Sequence, residues 1–581
     1  MRKHIYNILT LFLIAGATVS WAQERENDTI GTNVINVVKP YTPTISDAFK
    51  VKEEPSLDDD VTAAKKQIEY NIFSFPVAST FTPAKGKAAV VDKEEPAKLY
   101  DNYATLGFGS YTSILGEVYL NHALSRTESV SGYVTHHSSQ GGIKDVALDD
   151  DFYDTKLQVN YSKSLRDLTW NVELGGLHQK YNWYGLPSAI NTFVPLIAAT
   201  NDLDVGHTFY GAHLGGDMAF EDTYIKSGRV FFRHFGDNNG SGENYFTASG
   251  TADIPIADQE ISTTINIGYL GGKFDQNYQA ANEVKYGNFS VGLSPSYRIT
   301  QDDLTVNLGV SAYYLSDFEN SDNKFYIYPN ITASYRIVDE ILIAYGGIQG
   351  GLNQNTYYDL VQENPFVSPT LNILPTDQQY NGYIGLKGKV SNNVSYDIHG
   401  NYMAESDKAL YKVNSLQVFS ASENYHFGNS YGIVYDDVST FSFGGALSVD
   451  VNRNFTLGLK ADYFIYDVDS EAEAWNLPSI KGSLFADYQI NKKWYAGASL
   501  FYVGEREASN AFSGLFTPFI QQTVTLDGYF DANVNLGYHI NDKLSVFLKG
   551  NNLANQDYMR WANYPVQTIQ VLAGATYKFD F

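Results

Sequence analysis

From about Tyr100 onward the chain alternates apolar with polar or small residues in segment after segment, the period-two pattern of strands whose two faces meet different surroundings. Ile261, Thr263, Ile265, Ile267 and Tyr269 take one face, and Ser262, Thr264, Asn266 and Gly268 take the other. Leu157, Val159 and Tyr161 oppose Lys156, Gln158, Asn160 and Ser162; Leu168, Trp170, Val172 and Leu174 oppose Thr169, Asn171, Glu173 and Gly175. The same split recurs from Leu304 to Ser311 and from Phe455 to Asp462. In a soluble sandwich the apolar faces form the core; in a membrane barrel they face lipid, and the polar faces enclose water.

The connections favour the barrel. Ten short polar turns recur: Ser125–Glu128, Arg166–Asp167, Glu221–Thr223, Ala257–Glu260, Thr300–Asp303, Val338–Glu340, Ser391–Asn393, Asn452–Asn454, Asn491–Lys493 and Asn541–Lys543. Between them lie connections of unequal length, the long ones around Pro187, Pro365 and Pro518. Short turns on one side and long loops on the other are the signature of a transmembrane antiparallel barrel. Ten turns join twenty strands, and a first strand near Tyr103 with a last one ending at Phe581 brings the expectation to about 22. An even count places both ends of the barrel in the periplasm. The fold class is therefore all-β, with barrel boundaries at residues 101–581.

Composition agrees. The chain holds 45 Tyr, 34 Phe and 48 Gly, which suits a large β-structure. Its formal charge of −25 argues against a nucleic-acid partner, because neutralising phosphates takes clustered Lys and Arg. With no Cys, disulfides, thiolate catalysis and cysteine metal sites are excluded.

Residues 1–23 read as a secretory signal: Arg2, Lys3 and His4 precede an apolar run from Ile8 to Val19, and Ser20 and Ala22 sit at −3 and −1 of a cleavage site. Beyond Gln23 no apolar stretch is long enough for a membrane helix. Residues 24–100 carry Pro40, Pro43, Pro55, Pro76, Pro83 and Pro96, with charge bunched at Lys52-Glu53-Glu54 and Asp58-Asp59-Asp60, and neither period is written into them. They are expected to form an extended periplasmic arm. Within it Val34, Ile35, Val37 and Val38 make a short β-prone stretch suited to adding a strand to a periplasmic partner's sheet. Ile72, Phe73 and Phe75, with Phe81 nearby, are bulky enough that docking in the lumen or on another protein is expected.

At the other end Val571, Ala573, Ala575, Tyr577, Phe579 and Phe581 form one apolar face, with Gly574, Thr576 and Lys578 opposite. A final strand ending on an aromatic looks like the assembly signal read by the barrel-insertion machinery, with Gly574, Tyr577, Phe579 and Phe581 as its residues. The run Leu526–Phe581, containing Gly550-Asn551-Asn552-Leu553-Ala554-Asn555-Gln556-Asp557-Tyr558, is similar to the C-terminal strands of TonB-dependent outer-membrane receptors. Glu363-Asn364-Pro365-Phe366, followed by Pro369 and Pro375, resembles a loop of such receptors. The likeness covers the barrel and implies a 22-stranded transporter architecture in contact with outer-membrane lipid. It also implies a folded plug inside the barrel, for which the roughly 77 residues between signal and first strand are too few. The position of Val34–Val38 matches that of the family's energy-coupling box.

A barrel this wide is not filled by its own wall, so loops, arm or partner must occlude it. Three loops are unexpectedly apolar: Phe193, Val194, Pro195, Leu196 and Ile197; Phe366 and Val367; and Phe512, Leu515, Phe516, Phe519 and Ile520. They are candidates for substrate contact, for folding into the lumen, for binding a surface lipoprotein, or for packing on one another. Catalysis finds little support. His136 and His137 point to opposite faces of a strand, Asp149-Asp150-Asp151 with Asp154 lacks the spacing of a calcium loop, and no nucleophile elbow, phosphate loop or His-Glu-x-x-His motif stands out. No enzyme, cofactor or metal is expected. The expected function is passage or uptake of a solute across the outer membrane through a plugless receptor-like barrel; the alternative is a non-transporting scaffold that binds partners through arm and loops.

Overall fold

The computed structural model describes residues 98–187, 203–256, 259–417, 423–512 and 520–580. Its strands are β1 (Asn102–Gly109), β2 (Ser113–Ala123), β3 (Glu128–Ser139), β4 (Phe152–Ser164), β5 (Leu168–Asn182), β6 (Gly206–Phe220), β7 (Ile225–Asp237), β8 (Gly242–Ile256) and β9 (Gln259–Phe274). There follow β10 (Val284–Gln301), β11 (Leu304–Asp317), β12 (Asp322–Val338), β13 (Leu342–Asn353), β14 (Thr376–Ser391), β15 (Val394–Val413), β16 (Tyr431–Asn452) and β17 (Phe455–Val468). The last are β18 (Ile480–Gln489), β19 (Trp494–Val503), β20 (Arg506–Phe512), β21 (Ile520–Leu526), β22 (Tyr529–His539), β23 (Leu544–Asn551), β24 (Met559–Trp561), β25 (Tyr564–Pro565) and β26 (Gln570–Phe579). One α-helix, α1 (Tyr357–Glu363), stands among the described residues.

Twenty-two of these strands make a single antiparallel sheet that closes on itself where β26 pairs with β1, Gly574 opposite Gly107. The hairpins β20–β21 and β24–β25 stand outside that sheet, in the long connections on the loop side. The turns fall where the polarity pattern puts them, for local reasons. The Asn491 and Asn541 carboxamides each accept two backbone N–H bonds, from Lys493 and Trp494 (2.8 and 3.1 Å) and from Lys543 and Leu544 (both 2.9 Å). Asp222, Asp302 and Asp339 hold positive φ at 54°, 51° and 34°, a region that short polar side chains tolerate.

The faces separate as the alternation requires. Leu174, Leu214, Phe443 and Leu548 stand about half exposed on the outside, at 56, 52, 56 and 49%. The alternate positions turn inward and bond across strands: Asn307 Nδ2 to Thr332 Oγ1 (2.9 Å), Gln349 Nε2 to Asn330 Oδ1 (3.0 Å) and Thr251 to Thr264 (3.0 Å). The many glycines and tyrosines have a joint use on this inner face. A Cβ on Gly292, Gly385 or Gly537 would collide with the ring of its cross-strand partner, Tyr313, Tyr345 or Tyr495, so each ring lies flat over a glycine of the next strand.

Candidate functional site: the closed outer mouth

Along one strand the inner face changes character. On β9 Ser262, Thr264 and Asn266 are half-buried, whereas Leu270 and Phe274, further toward the loop side, are fully buried. Phe209, Phe235 and Tyr286 join them in one apolar cluster, which needs something packed against it from within.

That element is the connection between β13 and β14, residues 354–375. Thr356 caps its helix, accepting the Asp359 N–H at 3.1 Å, and its hydroxyl donates to Asp359 Oδ2 at 2.6 Å. Tyr357 is wholly buried, its ring edge-on to Phe235 and Phe274 with centroids 5.3 and 5.0 Å away. Its hydroxyl donates to Asp237 Oδ2 at 2.6 Å, and the same carboxylate oxygen lies 3.0 Å from His207 Nε2. Burial, then the adjacent Asp237 charge, holds the Tyr357 phenol well above its ordinary value, so it serves as a neutral donor. Glu243 accepts the Tyr357 backbone N–H at 2.6 Å and the Tyr286 hydroxyl at 2.9 Å. Arg233 donates to Thr356 Oγ1 at 2.8 Å, with its guanidinium 3.9 Å over the Tyr358 ring. Gln362 Nε2 donates to Gln179 Oε1 of β5 at 2.8 Å.

The far side is held as firmly. Tyr411 of β15 donates to Leu360 O at 3.1 Å and Glu363 Oε2 at 3.0 Å. Tyr431 of β16 donates its N–H to Phe366 O (2.9 Å), and its own carbonyl accepts the Ser368 N–H (2.8 Å), with Val367 in a parallel bridge. Phe366 stacks on Tyr564 with centroids 3.7 Å apart, and its carbonyl also accepts the Trp183 indole N–H at 3.1 Å. Thus a connection rooted at β13 and β14 grips β5, β7 and β8, five to eight strands from β13 around the wall, as well as β15 and β16. It crosses the lumen on the loop side of the barrel.

Of the residues singled out in the sequence, Phe366 sits in this crossing. Phe512 ends β20, outside the sheet. Gly574 packs against the Phe547 ring at the closure seam, and Tyr577 stacks on Phe579 at 5.9 Å on the outer face. Val34, Ile35, Val37, Val38, Ile72, Phe73, Phe75, Phe81, Phe193, Leu196, Phe516, Phe519 and Phe581 lie outside the described residues. The acidic run near Asp150 is engaged: Asp150 accepts the Gly142 and Ile143 N–H groups (3.0 and 2.6 Å), and Asp151 pairs with Lys180 at 3.0 Å. The helix was missed, although Thr356-x-x-Asp359 ahead of Leu360 and Val361 is a cap signal. Asn552 was quoted only as part of a resemblance. It holds φ at 47°, and its amide donates to Gln556 O and Gln567 O, both at 3.1 Å, which organises the last loop.

No protein-family model matches the chain, and no curated protein matches it. Solved structures do. The pyoverdine outer-membrane receptor FpvA from Pseudomonas aeruginosa superposes with a TM-score of 0.58 at 13% identity, over 84% of this chain and 80% of that one. The ferric-catecholate import receptor Fiu from E. coli gives 0.57 at 12%, over 83 and 82%. The siderophore receptor PirA from Acinetobacter baumannii gives 0.58 at 12%, over 84 and 81%. What this chain shares with them is the barrel. The protein is an outer-membrane β-barrel. The apolar outer band and polar interior are what that setting demands of it.

Proposed function

We propose that this barrel passes a solute across the outer membrane, with the 354–375 crossing as the gate at its outer mouth in place of a separate plug. The observation that carries this reading is α1 itself: a seven-residue helix, anchored on β7 and β8 through Tyr357 and on β15 through Leu360 and Glu363. The resemblance to TonB-dependent receptors and the shared fold with siderophore receptors support uptake as the purpose. Val34–Val38 is the candidate periplasmic contact, Phe193, Leu196, Phe512, Phe516 and Phe519 are candidate surface contacts, and Gly574, Tyr577, Phe579 and Phe581 are the candidate assembly signal.

The tight packing of this crossing favours a second reading. With Tyr357, Val367 and Tyr431 at 0% exposure, the mouth is packed like a protein interior, which also suits a barrel that stays shut and serves as a scaffold for partners. Liposome swelling separates the two. Replacing residues 354–375 by a short Gly-Ser linker is expected to turn a slow-swelling protein into a fast one, with wild-type swelling low but measurable. A wild-type protein that never conducts under any applied voltage, together with partners that co-purify stoichiometrically, argues for the scaffold.

A further inference from the structure

The lumen wall is not uniform in chemistry. On β4 to β7 its inner face carries Asp154, Lys156, Glu173, Asp217 and Arg229, and on β15 to β18 it carries Asp397, His399, Lys460, Asp462 and Lys481. Between these charged arcs lie β9 to β13. Arg298 and Arg336 stand at their periplasmic edge and Asp317, Asp322 and Lys324 at their loop-side edge; between these the inner face is made of hydroxyls, amides, glycines and aromatic rings, with Leu270, Leu315 and Ile343 as its aliphatic members.

Two features of this arc bear on what it can hold. Asn307, Asn330 and Gln349 form a ladder of half-buried amides on three adjacent strands. Asn307 donates to Thr332, Gln349 donates to Asn330, and the Tyr383 hydroxyl lies 3.4 Å from Gln349 Oε1. Each amide spends only part of its capacity on its neighbour. Beside the ladder, Tyr313 lies over Gly292 and Tyr383 of the adjoining β14 lies over Gly347, each with its other side turned to the lumen, while Tyr345 lies over Gly385 with the Lys387 ammonium 5.2 Å from its centroid. Flat rings offer apolar platforms to C–H groups, and paired amides offer a donor and an acceptor to neighbouring hydroxyls. Charge reaches the arc only at its margins, where Arg298 Nε donates to Asn307 Oδ1 at 3.0 Å and the Tyr345 hydroxyl donates to Asp397 at 2.8 Å; the hydrogen bonds and ring contacts of Asn330, Gln349, Tyr313 and Tyr383 between them are with uncharged groups.

We propose that this arc is a binding track for a neutral oligosaccharide. The proposal rests on reading the lumen as a solute path, and it adds the class of solute. Pore selectivity is set by the donors, acceptors and charges that line the wall.

The test is titration calorimetry on the full-length protein, and on the form with 354–375 replaced by a linker, in a detergent without a sugar headgroup. The probes are maltohexaose, the anionic hexamer of galacturonic acid and the cationic chitosan hexamer. Maltohexaose is expected to bind at least one form about tenfold more tightly than either charged hexamer. Tyr383→Ala should weaken it about fivefold, and Tyr383→Phe, which keeps the ring, should restore most of the affinity. Asn330→Asp should lower the affinity for maltohexaose and raise it for the chitosan hexamer. Unheated gel mobility checks that each variant is a folded barrel. No binding to either form, equal binding of all three hexamers, or affinities unmoved by both Tyr383→Ala and Asn330→Asp overturns the proposal. Failure of the two ideas is distinguishable: a sugar that binds a barrel that never conducts sinks uptake alone, and a conducting barrel blind to sugar sinks the track alone.

Discussion

The two ends of the lumen are built from the same strands and obey opposite rules. At the inner end, β9 and β10 present Ser262, Thr264 and Ser294, half-buried and water-compatible; at the outer end they present Leu270, Phe274 and Tyr286, sealed beneath α1. Strand geometry is unchanged between the two, so the difference lies in what each wall faces. A polar lumen face needs no cover, whereas an apolar one stabilises only if something buries it. The point along a strand where its inner face turns from polar to apolar therefore marks where the internal loop must lie.

The sharpest way to break this comparison is to empty the two ends in turn. Phe274→Ala should cost about 3–5 kcal/mol by leaving a cavity beside Tyr357, while Ser294→Ala, on the same wall, should stay within about 0.5 kcal/mol. Urea titration of the micellar barrel, followed by gel mobility, reads both. Equal costs would mean that the outer end is not packed as described. A smaller contrast concerns the glycines. Gly385→Ala drives a methyl into the Tyr345 ring and should cost about 1–3 kcal/mol, whereas the space around Gly458 is open, and Ala there should be neutral or stabilise by about 0.5 kcal/mol. The smallest expected effect is at the helix cap: Thr356→Ala should cost about 1 kcal/mol and raise the rate of brief channel openings in planar bilayers, since Thr356 also anchors Arg233.

Much of the barrel was legible because its signal is local and repeated. Ile265 and Ile267 against Thr264 and Asn266 state the period, and Asn541 and Asn491 state the turns, without knowledge of any distant residue. The outer mouth was harder. That Phe366 belongs to an apolar loop is visible in the chain; that its partners are Trp183 and Tyr564 is not, since those contacts join residues some two hundred positions apart. The apolar switch on β9 is present in the sequence as Leu270 and Phe274, on the same face as Ser262 and Thr264, but two apolar residues on a polar face do not say which distant segment covers them. The helix cap at Thr356 was overlooked for a related reason, since a long loop between strands invites no search for helices. The patch of amides and rings around Asn330 and Gln349 was equally invisible, because it emerges only when neighbouring strands are laid side by side in register.

The central claim is that the 354–375 crossing moves to open the barrel. Because the chain has no cysteine, Gln179→Cys and Gln362→Cys give a protein with a single thiol pair, at two amides that meet at 2.8 Å across the wall–helix contact. Planar-bilayer recordings of this variant, bridged by a reducible thiol cross-linker and then reduced, test the claim most directly. A silent trace while bridged, with voltage-driven openings after reduction, is the predicted result; traces that are the same in both states contradict it.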